Sequence, residues 1–130
     1  MNRTSVKNLR KYGDLPFNLA VIHGGPGAPG EMAPVARELS AFRGVLEPLQ
    51  TAVILDGQVR ELREILEKHG SLPVTLVGFS WGAMLSFIFT ARHPQLVKKL
   101  VLIGSGPYEE KYATNITKTR ISRLGKTFSA

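Results

Sequence analysis

Gly78-Phe79-Ser80-Trp81-Gly82 sets a serine between two glycines in the spacing G-x-S-x-G. A serine hydroxyl at a sharp turn can attack a carbonyl carbon, provided that a base takes its proton and amide N–H groups hold the developing oxyanion. The flanks suit such a turn, because Val74 to Phe79 reads as a buried strand and Ala83 to Ala91 is apolar on nearly every side of a helix. Ser80 is therefore the candidate nucleophile. The Trp81 amide, at the start of that helix, is a candidate oxyanion donor, helped by the positive end of the helix dipole. The plain alternative is a serine in a Gly-rich turn.

A second glycine-rich segment, His23-Gly24-Gly25-Pro26-Gly27, follows the apolar run Leu19 to Ile22. Its glycines let the backbone aim amides into a cleft, so Gly24 and Gly25 are the candidates for the second oxyanion donor. None of the three histidines makes a convincing base. His23 closes a strand and reads as a residue that orders the loop, His69 ends a surface helix, and His93 lies in Arg92-His93-Pro94 at another helix end. With no cysteine and no His paired with Asp or Glu at ligand spacing, no metal site is expected.

The elements that must position these residues alternate between short β-branched runs and longer amphipathic stretches. That is the pattern of a parallel sheet with crossover helices. Strands are expected at Leu19 to Ile22, Gly44 to Leu49, Val74 to Phe79 and Lys99 to Ile103. Met32, Val35, Ala36, Leu39 and Phe42 mark one helix, and Asp56 reads as the N-cap of another that carries Val59, Leu62, Ile65 and Leu66 and ends at Gly70. The helix after Ser80 is the third and should lie deep. In such sheets ligands bind beyond the carboxyl ends of the strands, where both glycine-rich segments fall.

A length of 130 residues and 43% hydrophobic content fit a single globular core, with no internal repeats. The net charge of +7 is concentrated at the ends: residues 1–11 carry +4, residues 111–130 carry +5, and the body carries −2. Such ends read as solvated tails, and without interleaved aromatics or a known motif neither nucleic acid nor a membrane is an expected partner. No apolar run reaches the roughly 18 residues of a membrane span and no secretory signal opens the chain, so a cytoplasmic location is expected. Asn115-Ile116-Thr117 matches a glycosylation sequon and is read as chance.

Together, HGGPG at 23–27 and GFSWG at 78–82 resemble the α/β-hydrolase superfamily, in particular the branch that includes the proline iminopeptidases. The resemblance covers roughly residues 12–112, including Ala91-Arg92-His93-Pro94 and the strand and loop from Lys99 to Gly106. It implies a partial α/β-hydrolase fold whose acyl-enzyme forms on Ser80, with Trp81 and Gly24 or Gly25 as oxyanion donors and no cofactor. Substrates would be small esters, amides or aminoacyl peptides. Family members continue with a helical cap and further strands carrying an acid and then the catalytic histidine. On this reading residues 1–11 are a basic N-terminal segment, 12–108 a partial core and 109–130 the start of a cap, so the chain is expected to be a fragment that is inactive alone. Glu109 or Glu110 could serve as an acid but has no imidazole to orient.

Two other readings compete. Gly25, Gly27 and Gly30 also spell G-x-G-x-x-G between a strand and a helix, and Glu47 stands near where a ribose-binding acid belongs. Against dinucleotide binding, Pro26 and Pro29 delete amides that a pyrophosphate would need. The third reading is a non-catalytic half fold that associates through its exposed sheet edge.

Overall fold

Four apolar runs lie side by side as the parallel part of a mixed sheet, in a computed structural model that describes residues 8–25 and 29–104. In chain order the elements are β1 (Leu9–Tyr12), β2 (Phe17–Ile22), α1 (Ala33–Leu39), β3 (Gly44–Pro48), α2 (Leu55–His69), β4 (Val74–Phe79), α3 (Trp81–Arg92), a single 3-10 turn (Pro94–Leu96) and β5 (Val97–Ile103). The sheet order is β1-β3-β2-β4-β5, with β1 antiparallel to β3 and the other pairs parallel.

Helices cover both faces, which is why the central strands are apolar at nearly every position. On one face Ala20 and Ile22 of β2 join Leu46 and Leu76 beneath Val59, Leu62, Ile65 and Leu66 of α2 and Leu85 and Phe89 of α3. On the other, Leu19, Val21, Val45 and Val77 meet Met32 and Ala36 at α1. The two-residue period of β2 thus feeds two separate cores. Helix α2 stops at Gly70, whose N–H bonds to the Leu66 carbonyl at 2.8 Å.

Several sequence expectations need correction. Asp56 does not cap α2: Ile54 holds the N-cap position, while Asp56 lies in the first turn and pairs with Arg92 at 2.9 Å. Phe42 was expected on the buried stripe of the first helix, but α1 ends at Leu39 and Phe42 is 81% exposed. Helix α3 is not buried all round, since Phe87 is half exposed. The sheet has five strands instead of four, because residues 9–11, read as part of a basic solvated tail, form β1 together with Tyr12. Residues 1–7 and 105–130 lie outside the described residues, and with them the expected cap, Glu109, Glu110 and the sequon.

Besides its ladder with β3 and the buried Leu9, β1 has a polar anchor. Glu47 of β3 is fully buried, receives the Tyr12 hydroxyl at 2.6 Å and has the Arg10 guanidinium 3.9 Å away. Burial and then the bond to Glu47 push the Tyr12 pKa up, so the phenol keeps the proton that it donates. Tyr12→Phe should therefore cost about 1–3 kcal/mol, the range for stripping a buried acceptor of its donor, as read from the urea midpoint. A change under a few tenths would remove the anchor role.

Candidate active site

Ser80 occupies the turn between β4 and α3 with φ 57° and ψ −118°, the one non-glycine residue with positive φ among the described residues. Such a conformation costs about 1–3 kcal/mol and persists only where the surroundings enforce it. They do so here. The Ser80 N–H bonds to the Ile103 carbonyl at the end of β5 at 3.0 Å, and the Ser80 carbonyl receives the Ala83 N–H at 2.9 Å. No side-chain bond caps the helix, so the hydroxyl is not folded back onto α3. The glycines of the motif are dictated by space. A Cβ at Gly78 would stand 2.7 Å from Ser86 Oγ, and one at Gly82 would stand 2.6 Å from the His23 carbonyl oxygen.

The His23-Gly24 segment lies directly against this turn. A Cβ at Gly24 would be 3.1 Å from both Ser80 Cβ and the Phe79 carbonyl oxygen, so only glycine lets the loop come this close. His23 is buried, and both ring nitrogens are engaged. Its Nε2 accepts the Gln50 N–H at 2.9 Å, which assigns the proton to Nδ1, 2.5 Å from the Gly24 carbonyl oxygen. The Gln50 side chain returns an N–H to the His23 carbonyl at 2.8 Å. His23 therefore bolts the loop to the end of β3 and has no nitrogen to spare for the serine proton. Of the two candidate loop donors, Gly24 is already occupied, because its N–H bonds to Glu31 Oε2 at 2.6 Å. That leaves Gly25, at φ 138° a conformation natural to glycine, as the donor the loop can offer.

Trp81 opens α3, where an N–H has no intrahelical partner. Its indole Nε1–H is fixed by Gln58 Oε1 at 3.0 Å, and Gln58 is held in turn by donating to the Ala52 carbonyl at 2.9 Å. Beside the indole opens a cavity of about 510 Å³, walled by His23, Gln50, Ala52, Val53, Leu55 and Gln58 among others. Gln58→Leu should lower stability by about 1 kcal/mol, the net worth of a neutral hydrogen bond, and should shift the emission of Trp81, the single tryptophan. Unchanged emission would mean that Gln58 does not hold the indole.

The remaining candidates stand apart. His69 ends α2, and partial burial, seconded by Lys11 and Lys68, holds its pKa below the usual histidine value. His93 caps the far end of α3 with its ring 5.1 Å from Phe89. Glu47, weighed as a ribose-binding acid, is instead sealed beneath Tyr12, and a Cβ at Gly30 would meet the Arg10 guanidinium 3.3 Å away. The dinucleotide reading loses its acid in this way, and Gly27 lies outside the described residues. Among the described residues no group of three His, Asp or Glu could hold a metal ion, and no helix is long and apolar enough to cross a membrane. Motif spacing singled out Ser80, Trp81, Gly24 and Gly25, and the fold brings the Gly24 segment against the Ser80 turn. The spacing had no signal for Glu31, Gln50 or Gln58, whose roles rest on tertiary contacts.

Comparison with known proteins agrees with this fold. The marine microorganism esterase superposes with a TM-score of 0.65 at 25% identity, over 93% of this chain and 51% of that one. An epoxide hydrolase of Bacillus megaterium gives the same TM-score at 22% identity, over 92% and 47%. Ethanol acetyltransferase 1 of Cyberlindnera fabianii is 32% identical over 69 residues, which are 53% of this chain and 21% of that protein. The chain thus spans about half the length of these structural neighbours and about a fifth of that curated relative. The profile of the alpha/beta hydrolase fold matches residues 26–122, most of the chain. With the parallel sheet and the turn at Ser80, this match establishes that the chain belongs to the α/β-hydrolase fold family.

Proposed function

We propose that Ser80 is the nucleophile of an acyl-transfer enzyme that opens an ester or amide bond of a small molecule. Ser80 Oγ attacks the carbonyl carbon and gives up its proton to a base, while the Trp81 and Gly25 amides receive the oxyanion. The tetrahedral intermediate collapses as the alcohol or amine leaves with that proton, and water then frees the acid from the acyl-serine. The observation that carries this reading is the positive φ of Ser80, a strain that a serine in an ordinary turn would not need. The HGGPG and GFSWG pairing supports the proline iminopeptidase-like branch and hence aminoacyl substrates, while the esterase and acetyltransferase names among the relatives support small esters.

The base is a histidine that this chain does not supply, since His23 is engaged and His69 and His93 stand elsewhere. Family order places an acid and then a histidine after the serine. The test is to supply a segment with those two residues, fused or in trans, and to follow p-nitrophenyl acetate and an aminoacyl anilide. Turnover should appear and vanish in Ser80→Ala; equal turnover in the two proteins would refute the assignment. A non-catalytic half fold is the second reading. It is favoured by β5, which pairs only with β4 among the described residues and ends at the half-exposed Ile103.

A further inference from the structure

Gly24 lies against the Ser80 turn, and its conformation is set from outside. Without a Cβ it has little dihedral preference of its own, yet both peptide groups that meet at it are held by side chains. The Gly24 carbonyl accepts the His23 Nδ1–H at 2.5 Å. Because a trans peptide is planar, that bond also sets the direction of the Gly25 N–H, which points the opposite way. On the other side of the Cα, the Gly24 N–H donates to Glu31 Oε2 at 2.6 Å, and the His23 carbonyl of the same peptide group receives the Gln50 side chain at 2.8 Å.

Glu31 stands seven positions beyond Gly24, just ahead of α1. Gly25 at φ 138° and Gly30 at φ 91° leave the intervening segment hinged near both ends, so its own backbone does not hold the two together. The carboxylate does. A Cβ built on Gly24 would meet Glu31 Oε2 at 2.8 Å and Ser80 Cβ at 3.1 Å, so the carboxylate and the serine flank the same side of this residue. Among the described residues no ion pair competes for Glu31; the Arg10 guanidinium reaches the adjacent Gly30 and bridges to Glu47.

We propose that Glu31 is a positioning residue for the acyl transfer proposed above: by holding the Gly24 N–H it keeps the Gly25 amide set for the oxyanion. The role rests on the Ser80 reading, and it is exerted through reach and not through charge. A donor fixed in advance needs no reorganisation when the oxyanion forms, whereas displacement by about 1 Å can cost about a hundredfold in rate.

Two substitutions separate reach from charge. Glu31→Gln keeps an oxygen at the same distance without the charge, and Glu31→Asp keeps the charge one methylene short. In the 130-residue chain, deuterium exchange at the Gly24 amide should quicken about tenfold or more in Glu31→Asp and Glu31→Ala, as expected on losing a bond to a charged acceptor, and stay within about threefold in Glu31→Gln. The buried Ala20 and Leu76 amides should be unaffected, which shows that the variants fold. In the chain complemented as above, kcat on p-nitrophenyl acetate should fall about tenfold or more in Glu31→Asp and Glu31→Ala at unchanged KM, with Glu31→Gln restoring most of it. Unchanged Gly24 exchange, exchange that quickens equally at Ala20 and Leu76, an unchanged or higher kcat, a loss confined to KM, or an active Glu31→Asp beside an inactive Glu31→Gln would each overturn the proposal. A complemented protein that turns over with glutamate at 31 in no preparation would instead refute the Ser80 reading and the role in the reaction with it, while exchange in the chain alone still decides whether Glu31 holds Gly24.

Discussion

The 130-residue chain on its own should hydrolyse p-nitrophenyl acetate or an aminoacyl anilide no faster than its Ser80→Ala variant. A serine hydroxyl is a weak nucleophile at neutral pH, and removing a triad member costs roughly 10⁴ to 10⁶ in turnover. The chain has three histidines. His23 is nearest to Ser80 in the fold, but its Nε2 is an acceptor for Gln50 N–H and its Nδ1 lies 2.5 Å from the Gly24 carbonyl oxygen. To serve as base it would have to break one of these bonds and release the loop that carries the proposed oxyanion donor. His93 is at the opposite end of the twelve-residue α3 from Ser80, and His69 is at the end of α2. Ser80-dependent turnover by the chain alone, lost in His23→Gln, would show that the loop yields and that His23 is the base.

The second large effect is structural. Gly82→Ala should unfold the protein or lower its stability by about 3 kcal/mol or more, beyond the usual 1–3 kcal/mol for an overpacked core, because the obstacle is backbone. The new Cβ would meet the carbonyl groups of Ile22 and His23 at the end of β2, the central strand of the sheet, which has no freedom to retreat. Gly57→Ala is the control. It sits within α2, where its Cβ would find only Ala52 Cβ at 3.1 Å, and alanine gains about 0.5–1 kcal/mol of helix preference over glycine. Urea midpoints should separate the two widely. Equal midpoints would mean that β2 and α3 are not held in the close approach that shapes the turn at Ser80.

Residues whose neighbours in sequence decide their structure were legible before any coordinates. Val74 to Phe79 alternates too little for a half-exposed strand and is covered on both faces as far as Gly78, with Phe79 exposed at its end, and Gly70 ends α2 as its type suggests. The serine turn was legible for the same reason, because strand, glycines and helix adjoin. Strand β1 was not, since Leu-Arg-Lys-Tyr carries one buried residue and owes its place to its ladder with β3 and to Glu47, more than thirty positions away. A charged residue inside the run Gly-Val-Leu-Glu-Pro was the available signal for that anchor. The occupied Gly24 amide, the tautomer of His23 and the grip of Gln58 on Trp81 depend on pairs that no local pattern links.

Ser80 as nucleophile is tested most directly by site-mapped labelling with a fluorophosphonate. The protein is the chain complemented by a segment that supplies the acid and the histidine, and the adduct is located by peptide mass spectrometry. The account predicts a single adduct at Ser80, absent from Ser80→Ala and slowed when Gly25→Pro removes the loop amide. Label on another residue, or equal labelling of the Ser80→Ala variant, would contradict it.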